Sequence, residues 1–124
     1  MSIPSDLRYT ADHEWIRIDS EVATIGITEF AATALGDVVF VLVPGIGSRL
    51  IAGQICGEIE STKAVSDVVS PVTGFVVEVN EVLTDRPDAL NTDPYGDGWL
   101  FRAELSEPVT ALDVAAYRAL TGAK

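Results

Sequence analysis

Residues 57–67 read Gly57-Glu58-Ile59-Glu60-Ser61-Thr62-Lys63-Ala64-Val65-Ser66-Asp67 and place one lysine between two runs of strand character. The runs, residues 54–60 and 65–69, contain several Ile and Val residues and are bounded by Gly, Pro or polar residues. Because they are so close in sequence, they predict an antiparallel hairpin with a tight connection. Such a connection directs the Lys63 side chain outward, so we expect its amine at an accessible hairpin tip.

Three further runs have strand character, at residues 23–27, 38–43 and 75–79. Together with the hairpin they predict a mainly β fold. In the last run Phe75, Val77 and Val79 fall on one side and Glu78 on the other, which predicts that the three apolar residues share a buried face. Residues 38–43 are apolar throughout, a pattern that predicts a central strand covered on both faces.

A short helix is predicted between the first two of these runs. It covers residues 29–35, with Thr28 as its N-cap and Gly36 as its C-terminal stop. Residues 84–98 contain Pro and Gly at several positions and are predicted to be a loop with one helical turn.

A second helix is predicted at the C-terminus, over about residues 110–121. Thr110 and Asp113 have the spacing of a capping box, with Asp in the place of Glu, and Gly122 can end the helix. Its predicted apolar stripe consists of Leu112, Ala116 and Leu120.

Length and charge limit the classes of protein to which the chain can belong. With 124 residues, 48% of them apolar, the sequence 1–124 has room for one domain. Its formal net charge of −11 opposes binding to nucleic acid and to anionic membranes, and favours protein partners with basic docking faces. The sequence has no apolar run near the roughly 20 residues that cross a bilayer and no signal-like start, so we expect a cytoplasmic protein.

The residues available for catalysis are few. A single cysteine, Cys56, excludes an intrachain disulfide and a Cys-rich zinc site, and is interpreted as a small packing residue. A single histidine, His13, has no Cys or His partners for a metal centre and is interpreted as structural. Tyr95 and Trp99 are expected to pack. We therefore expect a protein that is not an enzyme by itself and binds no metal.

Lys63 is open to two interpretations. The chain has one other lysine, Lys124, which is its last residue. Spacing alone favours the interpretation that Lys63 is a solvated surface charge, balanced by Glu58, Glu60 and Asp67. The alternative is a covalent attachment point, because a carried group needs a flexible stem on a rigid support.

The surroundings of Lys63 favour the second interpretation by resemblance. Residues 57–67, continued by Pro71-Val72-Thr73-Gly74, resemble the lipoylation hairpin of the glycine cleavage H-protein family, whose modified lysine falls on Lys63. The resemblance covers about residues 7–102. It extends to His13-Glu14-Trp15, Gly26-Ile27-Thr28, Leu35-Gly36-Asp37-Val38-Val39-Phe40-Val41 and Asn91-Thr92-Asp93-Pro94-Tyr95-Gly96-Asp97-Gly98-Trp99.

Two related kinds of carrier match less well. Biotin carriers resemble the hairpin but typically have Met on both sides of the modified lysine, where this chain has Thr62 and Ala64. Lipoyl domains of the 2-oxo acid dehydrogenases usually lack the 13–15 and 91–99 segments and the C-terminal helix. The resemblance therefore implies lipoic acid as the cofactor, and glycine cleavage as the system.

The family resemblance also implies a fold and a cycle. The implied fold is a flattened barrel or sandwich of two antiparallel sheets, a lipoyl-domain-like core over about residues 23–102. The lipoyl group on Lys63 would receive an aminomethyl group from a pyridoxal-phosphate glycine decarboxylase and pass it to a tetrahydrofolate-dependent aminomethyltransferase. A dihydrolipoamide dehydrogenase would then reoxidise the carrier. Lipoate-attaching enzymes are further implied partners, and we expect a monomer.

Four residues are candidates for contact with the carried group. The family places Glu14 and Asp67 near the loaded arm, where a carboxylate can bind an ammonium group by a charge-assisted hydrogen bond. Asp12 and Ser66 are candidates in the same region. Ordinary surface charge for the acids, and turn or capping roles for Asp12 and Ser66, remain alternatives.

Three positions depart from the family pattern. Leu42 and Gly45 stand where the family often has acids, which bears on partner docking. Ala34 stands where many members have a polar residue near the cleft, so its lining is expected to be less polar.

Two other functions remain open at this stage. One is an H-like protein that donates lipoyl or octanoyl groups to other lipoyl domains. The other is an unmodified protein-interaction module.

Overall fold

A computed structural model describes residues 3–122, and Lys124 lies outside the described residues. Nine strands and four helices fall within this part of the chain. In order they are β1 (Arg8–Tyr9), β2 (Glu14–Asp19), β3 (Val22–Ile27), α1 (Glu29–Leu35), β4 (Val38–Leu42), β5 (Arg49–Leu50), β6 (Ile55–Ser61), β7 (Val65–Val69), β8 (Gly74–Val79), α2 (Val82–Asp85), α3 (Ala89–Thr92), β9 (Phe101–Leu105) and α4 (Val114–Thr121).

The strands form two antiparallel sheets. One sheet has six strands in the order β1-β2-β3-β9-β8-β5, and the other has three in the order β4-β6-β7. The two remain separate sheets, which makes the molecule a flattened sandwich with short helices. This architecture confirms the predicted fold class.

One apolar core lies between the sheets and accounts for most of the burial. Ile16, Ile25 and Phe101 of the larger sheet are fully buried and belong to the same cluster as Ile59 and Val68 of the smaller one. A second, smaller cluster contains Tyr9, Trp15 and Tyr117. The second cluster attaches the C-terminal helix α4 to the sheet.

The prediction for residues 38–43 is wrong in its placement. The run does form a strand, β4, but β4 is an edge strand, and Val39, Phe40 and Leu42 are each about half exposed. Only Val38 is buried. The register between β4 and β6 pairs Phe40 with Glu60 and Leu42 with Glu58. These apolar side chains therefore lie opposite acids rather than inside the core.

The predicted faces of residues 75–79 are also wrong. Val76 is the buried residue of β8, at 1% exposure, while Phe75 and Val77 are exposed and Val79 is half-buried. A register shift against β9 between Val76 and Glu78 breaks the simple alternation on which the prediction depended.

The first predicted helix is confirmed, and the second requires correction. Helix α1 has the predicted bounds, and the Thr28 side chain accepts a hydrogen bond from the Ala31 N–H. Helix α4 begins at Val114, with Asp113 rather than Thr110 as its N-cap.

The predicted apolar stripe of the C-terminal helix is wrong. Leu112 precedes α4 and pairs with Tyr9 in an isolated bridge, while Ala116 and Leu120 are exposed. The buried contact of α4 is Tyr117 instead.

Sequence reasoning missed four strands, namely β1, β2, β5 and β9, and found only one helical turn where α2 and α3 lie.

No helix among residues 3–122 has the length and apolarity needed to cross a membrane.

Candidate functional site

Lys63 lies in the three-residue connection between β6 and β7. Ser61 N–H donates to the Ala64 carbonyl at 2.8 Å, which closes the connection. The Ser61 hydroxyl oxygen accepts from the N–H groups of Lys63, at 3.3 Å, and Ala64, at 3.1 Å. The Lys63 side chain is exposed and makes no ion pair with the described part of the chain. Hydrogen bonds therefore fix the backbone of the hairpin tip, and the Lys63 amine extends from it into solvent.

The hairpin tip is also attached to the turn between α1 and β4. Thr62 N–H donates to the Asp37 carbonyl at 3.0 Å. Asn91 fixes this turn from α3, because its amide donates to the Gly36 carbonyl at 2.7 Å and accepts from Val38 N–H at 2.9 Å. Asn91 was part of a motif in the sequence, but no local pattern indicated that it holds the turn beneath Lys63.

A cleft of about 490 Å³ opens beside the hairpin. Its walls are the turn before β2, helix α1, and strand β7 with the residue that precedes it. The lining consists of Ala11, Asp12, His13, Glu14, Ile27, Ala31, Ala34, Leu35, Ile59, Ala64, Val65, Ser66, Asp67, Val68 and Val69. All four cleft candidates from the sequence, Asp12, Glu14, Ser66 and Asp67, thus lie in one cleft, next to the lysine.

The three departures from the family pattern fall in two places. Ala34 lines the cleft, where it adds a methyl group rather than a polar side chain. Leu42 is on the exposed edge strand, and Gly45 is in the turn that follows it. Neither of these two lines the cleft.

Glu14 is the buried acid of the cleft, with 3% of its surface exposed. Burial raises the pKa of its carboxyl to about 8, and the nearby Asp12 acts in the same direction. A hydrogen bond from the Thr10 hydroxyl at 3.3 Å opposes this rise. At neutral pH and without a cationic partner, Glu14 is therefore mostly protonated.

Asp12, Asp67 and Ser66 surround this buried group at the surface. Both Asp side chains are exposed, and Ser66 is half-buried. The deeper lining includes the apolar residues Ile27, Ile59 and Val68. The cleft can therefore take a slender apolar group that ends in a cation.

Cys56 has the packing role that the sequence predicted. It is partly buried against the main core, and burial, followed by the charge of Glu14, raises the pKa of its thiol to about 12. A thiol with that pKa is not a nucleophile at neutral pH. Tyr95 and Trp99 also pack, against the smaller apolar cluster.

His13 joins the wall of the cleft to the C-terminal helix. Its Nδ1 is 2.8 Å from the Tyr117 hydroxyl, which is 2.7 Å from the Thr28 hydroxyl. Its ring also packs on Phe30, with centroids 4.5 Å apart. Burial lowers the pKa of His13, against an opposing effect of Asp12. The structural role predicted for His13 is thus specific, and its partners Tyr117 and Thr28 were not anticipated.

Among residues 3–122, no group of three or more His, Cys, Asp or Glu side chains is arranged to hold a metal ion.

Comparison with known proteins gives one consistent family. The chain is 60% identical over 121 residues to the glycine cleavage system H protein of Beutenbergia cavernae, covering 98% of each chain. It is 52% identical over 122 residues to that of Thermobifida fusca, covering 98% of this chain and 97% of the relative. The crystal structure of a glycine cleavage system H protein from Mycobacterium marinum matches with a TM-score of 0.93 and 44% identity, over 97% of this chain and 99% of that one. The family model described as glycine cleavage H-protein matches residues 7–121, and the chain therefore belongs to the glycine cleavage H-protein family.

Proposed function

We propose that this chain is the lipoyl carrier of a glycine cleavage system and that lipoic acid is attached to Lys63 through an amide bond. The observation that carries the proposal is the position of Lys63. It is a free, exposed amine on a rigid hairpin tip, beside a cleft that brings together Asp12, Glu14, Ser66 and Asp67.

The residues present fit such a group. The Lys63 amine is accessible to a modifying enzyme, and Ser61 holds the backbone on both sides of the lysine. The adjacent cleft has an apolar interior with one buried carboxyl, which suits a hydrocarbon arm with a polar or cationic end. Ile27, Ile59 and Val68 would contact the apolar part.

When bound, the lipoyl group supplies a disulfide that accepts an aminomethyl group and a dithiol that is later reoxidised. The protein itself binds the cargo in the cleft and shields it from water. Glu14 gives up its proton to solvent and accepts a hydrogen bond from the ammonium end of the cargo, because a cation beside a buried carboxyl restores its charged form. Asp67, with Asp12, adds negative charge at the mouth, and the apolar walls exclude water.

The proposed partners follow from this role. We propose that glycine decarboxylase, aminomethyltransferase, dihydrolipoamide dehydrogenase and a lipoate-attaching enzyme each dock near Lys63. The chain itself would be non-catalytic, and we expect a cytoplasmic monomer. Tethering the cargo to the carrier raises its effective concentration at each partner's site.

Intact mass spectrometry of protein from lipoate-competent cells tests the attachment. We expect the mass to increase by one lipoyl amide in wild type and in Lys124→Arg, and no increase in Lys63→Arg. Lys124→Arg is the matched control because Lys124 is the only other lysine in the sequence. An unmodified wild-type protein, or a modified Lys63→Arg protein, would refute the proposal.

A second measurement separates glycine cleavage from a role as lipoyl or octanoyl donor. Lipoylated protein is mixed with purified glycine decarboxylase and glycine, and the release of carbon dioxide is measured. We expect release to depend on the lipoylated carrier. A carrier that transfers its lipoyl group to another lipoyl domain but supports no decarboxylation would favour the donor role.

A further inference from the structure

The C-terminal helix α4 reaches the wall of the cleft through one side chain, Tyr117. The Tyr117 side chain is fully buried, and its ring stacks on Tyr9 with centroids 4.6 Å apart and planes within 12°. This stacking attaches α4 to β1. It does not require the hydroxyl group, which extends beyond the stack toward His13 and Thr28.

The Tyr117 hydroxyl joins two walls of the cleft. His13 belongs to the turn before β2, which also carries Asp12 and leads directly into Glu14, the first residue of β2. Thr28 is the N-cap of α1. The same two residues meet through the backbone, because Thr28 N–H donates to the His13 carbonyl at 2.9 Å. His13 has a positive φ of 64°, which a non-glycine residue rarely adopts. Side-chain and backbone contacts therefore together hold an unfavourable backbone conformation beside Glu14.

Either hydroxyl of the Tyr117–Thr28 pair can be the donor, and one arrangement gives both hydroxyl protons an acceptor within the group. The Thr28 hydroxyl oxygen already accepts from Ala31 N–H, so its own proton is available for the Tyr117 oxygen. Tyr117 then donates its proton to Nδ1 of His13. This arrangement uses both hydroxyl protons and requires neutral His13 with its proton on Nε2.

We propose that Tyr117 is a positioning residue: its hydroxyl fixes His13 against the first turn of α1, so that the C-terminal helix sets the geometry of the cleft and the retention of the cargo. The effect of Tyr117 on cargo retention rests on the proposed function. The effect of Tyr117 on the geometry of the cleft concerns the unmodified protein alone.

The first test measures the His13 tautomer by ¹H–¹⁵N NMR in unmodified protein. His13 is the only histidine, so its imidazole signals need no assignment. In wild type, above the titration of His13, we expect the Nε2–H form to dominate. Tyr117→Phe keeps the ring stack and removes the hydroxyl, and should produce a mixture of tautomers. Tyr9→Phe is the matched control, because it removes the other hydroxyl of the same stack, which donates to the Pro4 carbonyl, away from the cleft.

A second variant tests whether the three groups act in series. Thr28→Val removes a hydroxyl whose partners are Tyr117 and its own helix. It should shift the His13 tautomer as Tyr117→Phe does, whereas Thr28→Ser should retain the wild-type signal. A tautomer unchanged in Tyr117→Phe would overturn the proposal, even if Thr28→Val fails to fold.

The last measurement is the rate at which loaded carrier spontaneously loses its aminomethyl group. We expect Tyr117→Phe to accelerate this loss about fivefold, the factor that corresponds to one neutral hydrogen bond, and Tyr9→Phe to leave it unchanged. Equal rates in the two variants would overturn the positioning role. Absence of lipoyl groups on Lys63 would refute the proposed function instead, and the NMR result would still decide the geometry.

Discussion

The side chain of Lys63 passes directly beside Gly36. A Cβ atom placed on Gly36 would lie 3.2 Å from Cε of Lys63, and Gly36 has a φ of 81° and a ψ of −159°. This backbone region is accessible almost only to glycine. Gly36 therefore ends helix α1, and at the same time leaves room for the stem of the lysine.

Gly36→Ala should affect both stability and modification. Backbone strain should lower the free energy of unfolding by about 1–3 kcal/mol. The added methyl group should also displace the lysine stem and slow attachment of lipoate. Chemical denaturation measures the first effect, and a time course of intact mass with a lipoate-attaching enzyme measures the second.

Gly47→Ala is the matched control for this change. Gly47 also has a positive φ, of 89°, but a Cβ there meets nothing within 4 Å. We expect a loss of stability without slower modification. If the two variants are modified at the same rate, Gly36 does not act on Lys63 through contact.

Asn91→Ala should weaken the support beneath the hairpin tip. The substitution leaves the Gly36 carbonyl and the Val38 N–H without their side-chain partner, which should cost about 2–3 kcal/mol of stability. Because Thr62 bonds to Asp37 in the same turn, the tip should lose its fixed position. We therefore expect slower lipoylation of Lys63, measured by intact mass at a temperature where the variant is folded.

Asn80→Ala provides the comparison for Asn91. The Asn80 amide donates to the carbonyls of Asp97 and Trp99, at 2.6 and 2.7 Å. Neither of these partners lines the cleft beside Lys63. It should lose similar stability but keep the wild-type rate of modification. Equal slowing in both variants would assign the effect to general destabilisation.

The sequence was sufficient where structure is decided locally. The Lys63 hairpin follows from two adjacent strand-forming runs, and helix α1 follows from the Thr28 cap and the Gly36 stop, which are at its ends in the structure. Both depend on contacts a few residues apart. Physical reasoning on spacing alone still left Lys63 as a surface charge, and only the resemblance indicated modification.

The sequence was insufficient to predict structure that depends on contacts between segments far apart in the chain. An apolar run such as β4 becomes a central or an edge strand according to which strands pair beside it, so periodicity could not place Phe40 and Leu42. The partners His13 and Tyr117 are 104 residues apart, and Asn91 and Gly36 are 55 apart. Side-chain hydrogen bonds over such separations leave no periodic pattern in the sequence.

Glu14→Gln should change how stability depends on pH. In the folded protein the pKa of Glu14 is about 8, compared with the ordinary glutamate value of 4.5 in the unfolded chain. Between these values the folded state keeps a proton that the unfolded state has lost. The free energy of unfolding contributed by Glu14 therefore falls as pH rises from about 4.5 to about 8, and is constant above that range. Glutamine does not titrate, so this fall should be absent in the variant.

Urea denaturation of wild type and Glu14→Gln at several pH values between 5 and 9 measures the difference. We expect wild type to lose a few kcal/mol of stability relative to the variant between pH 5 and about 8, and to lose no more above that pH. Asp67→Asn removes one charge from the exposed rim of the same cleft and controls for net charge. A difference between wild type and Glu14→Gln that does not change with pH would mean that Glu14 is ionised in the empty cleft. The cargo's ammonium group would then meet a carboxylate that is already charged, and binding of the cargo would release no proton. If Glu14 is protonated in the empty cleft, as we expect, binding of the cargo would release one proton near neutral pH.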